Sequence, residues 1–306
     1  MQDFSSVREL VEMAEASGRT LAEVILEYQM GTYGETREVL VQRMRDNLAV
    51  MRESVERGLN QPENSRSGLV GGNAAKVRNA LQGGTLAGGG RLVSGGPFLR
   101  AAMRAMAVNE VNACMGRIVA APTAGASGTL PGVLLTVAEE VGANDDDLVM
   151  ALFTSAAIGM VIMENASISG AAGGCQAETG SAAAMAAAAG VQLAGGTPRQ
   201  SAHAAAIVLK NMLGLVCDPV AGLVEVPCVK RNAAAAAQAM LAIDLALAGV
   251  ESVIPVDEII VAMGQIGRTM HESLRETAQG GLAATPTAKN IVRRLQTDLP
   301  EFVQDF

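Results

Sequence analysis

Apolar residues recur at steps of three or four along most of this chain, and that recurrence predicts helices. The clearest stripe is Leu40, Met44, Leu48, Met51 and Val55, which shares one face of a helix from about Thr36 to Arg57, with Gly58 as its stop. Two shorter helices precede it. Ser6-Val7-Arg8-Glu9 and Thr20-Leu21-Ala22-Glu23 have the form of capping boxes, in which a hydroxyl accepts from an orphan amide and the Glu reaches back to the cap residue. Gly18 and Gly31 are the expected stops.

The pattern changes between residues 61 and 96, where Gly-Gly pairs stand at 71–72, 83–84, 88–89 and 95–96, so irregular structure is expected there. Pro97 then suits the first position of a helix running to Met115. Beyond Gly116, helical stretches alternate with Gly/Ser/Pro-rich breaks. Asn144 followed by three Asp is a strong helix start, because carboxylates there complement the helix dipole. Thr197-Pro198, Ile254-Pro255 and Thr285-Pro286 are further starts. Alternating β-branched runs are nearly absent. The expected fold is all-α, a single helical domain over 1–306 with N-terminal helices (1–60), a Gly-rich loop region (61–96), a core (97–290) and a short C-terminal amphipathic segment (291–306).

Composition sharpens this picture. Of 306 residues, 49% are hydrophobic but only 2% aromatic, with no Trp, so the core must be built from small aliphatic side chains that let helices approach closely. A net charge of −8 with scattered Lys and Arg disfavours nucleic acid and anionic membranes as partners. The N-terminus does not read as a signal peptide, and the most apolar stretches are broken by polar residues such as Gln238 and Asp244, so a cytoplasmic protein without a membrane span is expected. In that compartment the four cysteines are not expected to form disulfides.

Chemistry concentrates at cysteines. Cys217 and Cys228 bracket a Pro/Gly-rich loop, and Cys175 follows Gly173-Gly174 at a break that leads into a helix. Helix N-termini favour the thiolate that a metal needs. The spacing alone is equally compatible with buried apolar cysteines. No CxxC pair exists, which speaks against a zinc ribbon or a thioredoxin-like site. Three convergent thiolates suit an iron–sulfur cluster, since one iron can then lack a protein ligand and act as a Lewis acid.

The run Asn165-Ala166-Ser167-Ile168-Ser169-Gly170-Ala171-Ala172-Gly173-Gly174-Cys175-Gln176-Ala177-Glu178 closely resembles the cluster region of iron–sulfur-dependent L-serine dehydratases. The Cys217–Cys228 loop, Lys230-Arg231-Asn232, Ala121 to Gly128, and Leu274-Arg275-Glu276-Thr277 leading into Gly280-Gly281-Leu282-Ala283 match in the same order. The chain resembles the α chain of the two-chain form. That resemblance implies an all-helical catalytic domain, a [4Fe–4S] cluster on Cys175, Cys217 and Cys228, conversion of L-serine to pyruvate and ammonia without pyridoxal phosphate, and a β-chain partner in a hetero-oligomer. Cys114 falls where the family does not require cysteine and is read as packing. A related hydro-lyase acting on another β-hydroxy acid or amino acid, or a non-catalytic helical scaffold, are the competing readings.

Substrate contacts are expected at Thr123, Gly125 and Ser127, where free amides at a helix start can receive a carboxylate; the alternative is a self-capping Gly-rich turn. Asn165, Ser167 and Ser169 are further candidates, with loop capping as the alternative for the two serines. Lys76 follows a Gly-rich stretch and could act as base or carboxylate partner; otherwise it is a surface lysine. His203 and His271 are read as packed or surface residues, which leaves the β chain as another source of the base.

Overall fold

The computed structural model describes residues 4–84, 86, 89–94 and 96–299. Gly88, Gly95, the first three residues and the end of the C-terminal segment (300–306) lie outside the described residues. The fold is all-α. Among the described residues there are thirteen α-helices and no strand. They are α1 (Val7–Ser17), α2 (Leu21–Tyr33), α3 (Arg37–Asn60), α4 (Asn73–Leu81), α5 (Gly96–Ala113), α6 (Thr129–Val141), α7 (Asp145–Asn165), α8 (Gly170–Gly173), α9 (Ser181–Leu193), α10 (Pro198–Asn211), α11 (Cys228–Leu247), α12 (Val256–Thr269) and α13 (Pro286–Asp298).

Local signals set most starts. Ser6, Thr20, Asn144 and Thr197 each form a complete capping box, and Thr285 caps α13 ahead of Pro286. Pro255 takes the N-cap of α12 itself, one place earlier than a cap-then-Pro start predicts. Two expected stops are not stops. Gly31 lies inside α2, which ends at Gly34 with φ +65°. Gly58 lies inside α3, and the reason is tertiary: a Cβ there would come within 2.3 Å of the Ala107 carbonyl oxygen, so glycine is what lets α3 and α5 touch.

The core surrounds α9, which is buried from Ser181 through Val191 and packs against α6, α7, α10 and α11. Its run of alanines permits the close approach that composition implied. At Gly190 even a methyl group would press to 2.3 Å from Ile243 Cδ1. One helix among the described residues, α7, has the length and apolarity of a membrane span, but 61% of that window is buried inside the protein, where it serves α9 and α2.

The Gly-rich region contains the nine-residue helix α4, which residues 61–96 did not signal. Its N-cap, Gly72, has no side chain to offer. The capping acceptor comes instead from α5: buried Glu110 accepts from the Asn73 amide at 2.8 Å, from Asn73 Nδ2 at 2.6 Å and from the Ala74 amide at 3.2 Å. Glu110→Ala is expected to cost about 2–3 kcal/mol, since two backbone donors lose a charged partner in a buried place. A lowered urea midpoint at constant m checks this, and Glu110→Gln should recover part of the loss.

Candidate metal and substrate site

Three separated stretches meet beside the start of α9. The first is α8 and the turn after it. Gly174, at φ +76°, breaks α8, and Gln176–Gly180 forms a single π-helical turn before α9 begins. Such turns often mark functional sites, because the wider turn re-aims side chains. Here it carries Cys175 and Glu178. The second stretch is the Cys217–Cys228 loop, and the third is Thr123–Gly128.

Cys175, Cys217 and Cys228 are all free thiols, only 3%, 4% and 8% exposed. The Cys175 and Cys217 sulfurs and a Glu178 carboxylate oxygen lie within 4.8 Å of one another. Cys228, the first residue of α11, lies outside that trio, yet near enough that, after burial, the charges of Cys175 and Glu178 push its thiol up to about 12. Cys175 is lowered to about 7, first by a hydrogen bond from Cys217, with Thr179 and Arg231 helping against burial. Cys217 is raised by its bond to Cys175, by burial and by neighbouring negative charge. The three thiols thus favour one thiolate and suppress the other two, and a cation among the sulfurs would relieve that conflict.

The donor set fits a soft metal. Thiolates select zinc, copper(I) or iron–sulfur clusters over hard cations, and the backbone is cut away around them. A Cβ at Gly170 would sit 2.7 Å from Glu178 Oε2 and 3.1 Å from Cys217 Sγ.

The cysteine loop is tied from several sides. Cys217 donates its amide to the Leu274 carbonyl at 2.8 Å and accepts from the Glu276 amide at 2.7 Å. Glu276 and Ala278 there hold φ values of +65° and +55°, strained for residues with a Cβ. Asp218 pairs with Arg231 at 2.8 Å and accepts from the Leu282 amide at 2.7 Å. Glu225 accepts from the hydroxyls of Ser65 and Ser67, each at 2.6 Å. Val220 and Ala221 pack beneath Ala288 and Leu295 of α13, so the C-terminal helix covers this loop.

The sequence-predicted substrate residues divide. Thr123 comes to the site: its hydroxyl donates to Glu178 at 2.7 Å. Gly125 also faces Glu178, with room for a methyl group 3.4 Å from Oε1. Ser127 is fully buried and, among the described residues, its hydroxyl has no partner. The amides of Gly128 and Thr129, the expected helix-start donors, are both taken by Asn232 Oδ1 at 3.2 Å. Among the described residues, the Thr123, Ala124 and Gly125 amides are the ones in this loop without a partner.

The other candidates lie apart from this group or serve as local caps. Asn165 Nδ2 donates to the Ser5 and Val161 carbonyls, fastening the end of α7 to the N-terminus. Ser167 accepts from the Ser169 amide at 3.1 Å, a loop-capping bond, and Ser169 precedes α8 with its side chain making no cap. Lys76 is exposed on α4 and has no ion-pair partner among the described residues. Cys114 is half-buried beside the Glu63 carbonyl, away from the other thiols. His203 Nδ1 accepts from the Ser252 amide, and His271 caps the short turn at Ser273.

Glu178 received no role from the sequence, although it ends the motif that contains Cys175. Three residues after a cysteine, in a stretch where glycines hide the helical register, its side-chain direction could not be read. Asn232 was missed for a different reason: its partners lie about a hundred residues away.

Such a helical body, with two buried thiols and a carboxylate gathered beside the start of its central helix and a third buried thiol close by, defines an all-α protein with a candidate site for a thiolate-bound metal. A family model described as the serine dehydratase alpha chain matches residues 16–283, and the chain belongs to that family. It is 51% identical over 292 residues to the probable L-serine dehydratase alpha chain of Bacillus subtilis, covering 95% of each chain. It is 41% identical to the L-serine dehydratase alpha chain of Peptoniphilus asaccharolyticus, covering 95% of this chain and 97% of that one. A longer relative, the L-serine dehydratase of Streptomyces coelicolor, is 40% identical over 92% of this chain and 60% of its own length.

Proposed function

We propose that this chain is the catalytic α subunit of a two-chain L-serine dehydratase, which converts L-serine to pyruvate and ammonia with a [4Fe–4S] cluster on Cys175, Cys217 and Cys228 and without pyridoxal phosphate. The observation that carries this reading is the meeting of three buried thiols from separate parts of the chain beside Glu178. The names of the relatives supply the substrate, and the alpha-chain relatives supply the expectation of a β partner.

A cluster with one iron free of protein ligands supplies Lewis acidity toward the substrate hydroxyl, a poor leaving group in its absence. The chain's own residues do the rest. The three thiolates would hold the group, and the ties at Asp218, Glu225 and α13 brace the Cys217–Cys228 loop. The substrate carboxylate is assigned to the loop from Thr123 to Gly125, whose Ala124 and Gly125 amides are available. The base for the α-proton is assigned to the β chain; Lys76 is the candidate on this chain, exposed on α4 where a partner surface can reach it.

Co-expression with the β chain and anaerobic purification test this. The expected result is pyruvate formed from L-serine, lost on exposure to air and restored by iron, sulfide and reductant. An iron-replete complex that forms no pyruvate from serine would contradict the proposal, as would full turnover by iron-free protein.

A further inference from the structure

The carboxylate of Glu178 is more than the site's thiols need. Two other buried carboxylates of the cysteine loop are already engaged: Asp218 is paired with Arg231, and Glu225 accepts from two serine hydroxyls through Oε2. Glu276 is exposed. Glu178 is partly buried and, among the described residues, has no cationic partner. Its Oε1 accepts one hydroxyl, from Thr123, and has a methyl-sized gap on the side of Gly125. Its Oε2 has only the Cys217 thiol, at the long distance of 3.9 Å. A partly buried carboxylate with unfilled acceptor capacity therefore stands next to the amides assigned to a carboxylate.

We propose that Glu178 receives the α-ammonium of the substrate, so that this site selects amino acids over hydroxy acids of the same skeleton. The inference rests on the proposed function and adds the group that sets its substrate class. Serine is a zwitterion. Its carboxylate and hydroxyl have places in the reading above, and its ammonium has none unless a carboxylate stands beside them. An ammonium–carboxylate hydrogen bond is among the stronger kinds, and a partly buried anion left without a cation is unfavourable. Thr123 fixes the carboxylate plane, and Gly125 keeps the approach open.

The test uses the anaerobic, iron-loaded αβ complex and two probes, L-serine and glycerate, which carries a hydroxyl in place of the ammonium. Glu178→Gln keeps the shape and the Thr123 bond but loses the charge. It is expected to raise KM for serine by about ten- to a hundredfold, while iron content, cluster absorbance and the inhibition constant of glycerate stay near wild type. Gly125→Ala, which fills the gap and leaves the charge, should raise KM for serine as well. An unchanged KM in Glu178→Gln would overturn the proposal, and so would loss of iron from that variant, which would make Glu178 a holder of the thiols. Equal weakening of serine and glycerate would also overturn it. Failure of the functional reading looks different: the wild-type complex itself would not turn serine over.

Discussion

Cys175→Ser, Cys217→Ser and Cys228→Ser are each expected to lose most of the bound iron and more than about 100-fold in serine turnover, whereas Cys114→Ser keeps both. A hydroxyl is a poor substitute for a thiolate toward a soft metal, and even residues that only support metal ligands cost 10–100-fold when removed. The exchange of sulfur for oxygen barely changes side-chain volume. The iron-free variants should therefore unfold close to the iron-free wild type, which separates loss of a ligand from loss of the fold. Cys114 is the internal control, because it lies half-buried against the Glu63 carbonyl, apart from the other thiols. Iron and sulfide analysis after anaerobic reconstitution reads the result. Iron loss from Cys114→Ser equal to that from the other three would require a different ligand set.

The second large effect is expected at Asn232, which is fully buried at the junction of α11, α6 and the Thr123–Gly128 loop. Its Oδ1 accepts from the amides of Gly128 and Thr129 and from the Thr129 hydroxyl at 3.0 Å, while its Nδ2 donates to the carbonyls of Gly125 at 2.7 Å and Cys228 at 3.0 Å. One side chain thus joins the loop assigned to substrate with the residue assigned to the metal. Asn232→Ala leaves several buried polar groups without partners, at a cost of about 3–4 kcal/mol. Asn232→Asp should not rescue it, because an anion would then face two carbonyl oxygens. Both variants are also expected to retain less iron than Glu110→Ala, whose damage is confined to α4. Equal iron retention in the three would mean that Asn232 serves stability alone. Chemical unfolding and iron analysis on the same preparations decide the matter.

Much of the architecture was legible because helix starts are local. Ser6, Thr20, Asn144, Thr197 and Thr285 cap helices through atoms two or three residues away, so the motif contains the whole cause. Gly31 and Gly58 misled because a glycine can also mark a continuous helix. At Gly58 the cause is the Ala107 carbonyl of another helix. Helix α4 was hidden for a related reason, since the carboxylate that caps it comes from Glu110 on α5.

The site divides along the same line. The three cysteines stood out by residue type and loop context, and the family resemblance grouped them; their common burial is a property of the fold. Thr123 was named from a helix-start argument, yet it reaches the site through a hydroxyl bond to Glu178, while the helix-start amides themselves belong to Asn232. Glu178 and Asn232 are polar residues in Ala- and Gly-rich stretches. Nothing within a few residues of either shows what it touches.

The central claim is that Cys175, Cys217 and Cys228 together hold one iron–sulfur group. Anomalous diffraction at the iron edge, from anaerobically grown crystals of the αβ complex, tests it most directly. A single compact iron feature of about four atoms, bounded by those three sulfurs and facing Glu178, is the expected result. Iron bound elsewhere, or an iron feature that one of the three sulfurs does not touch, would contradict it.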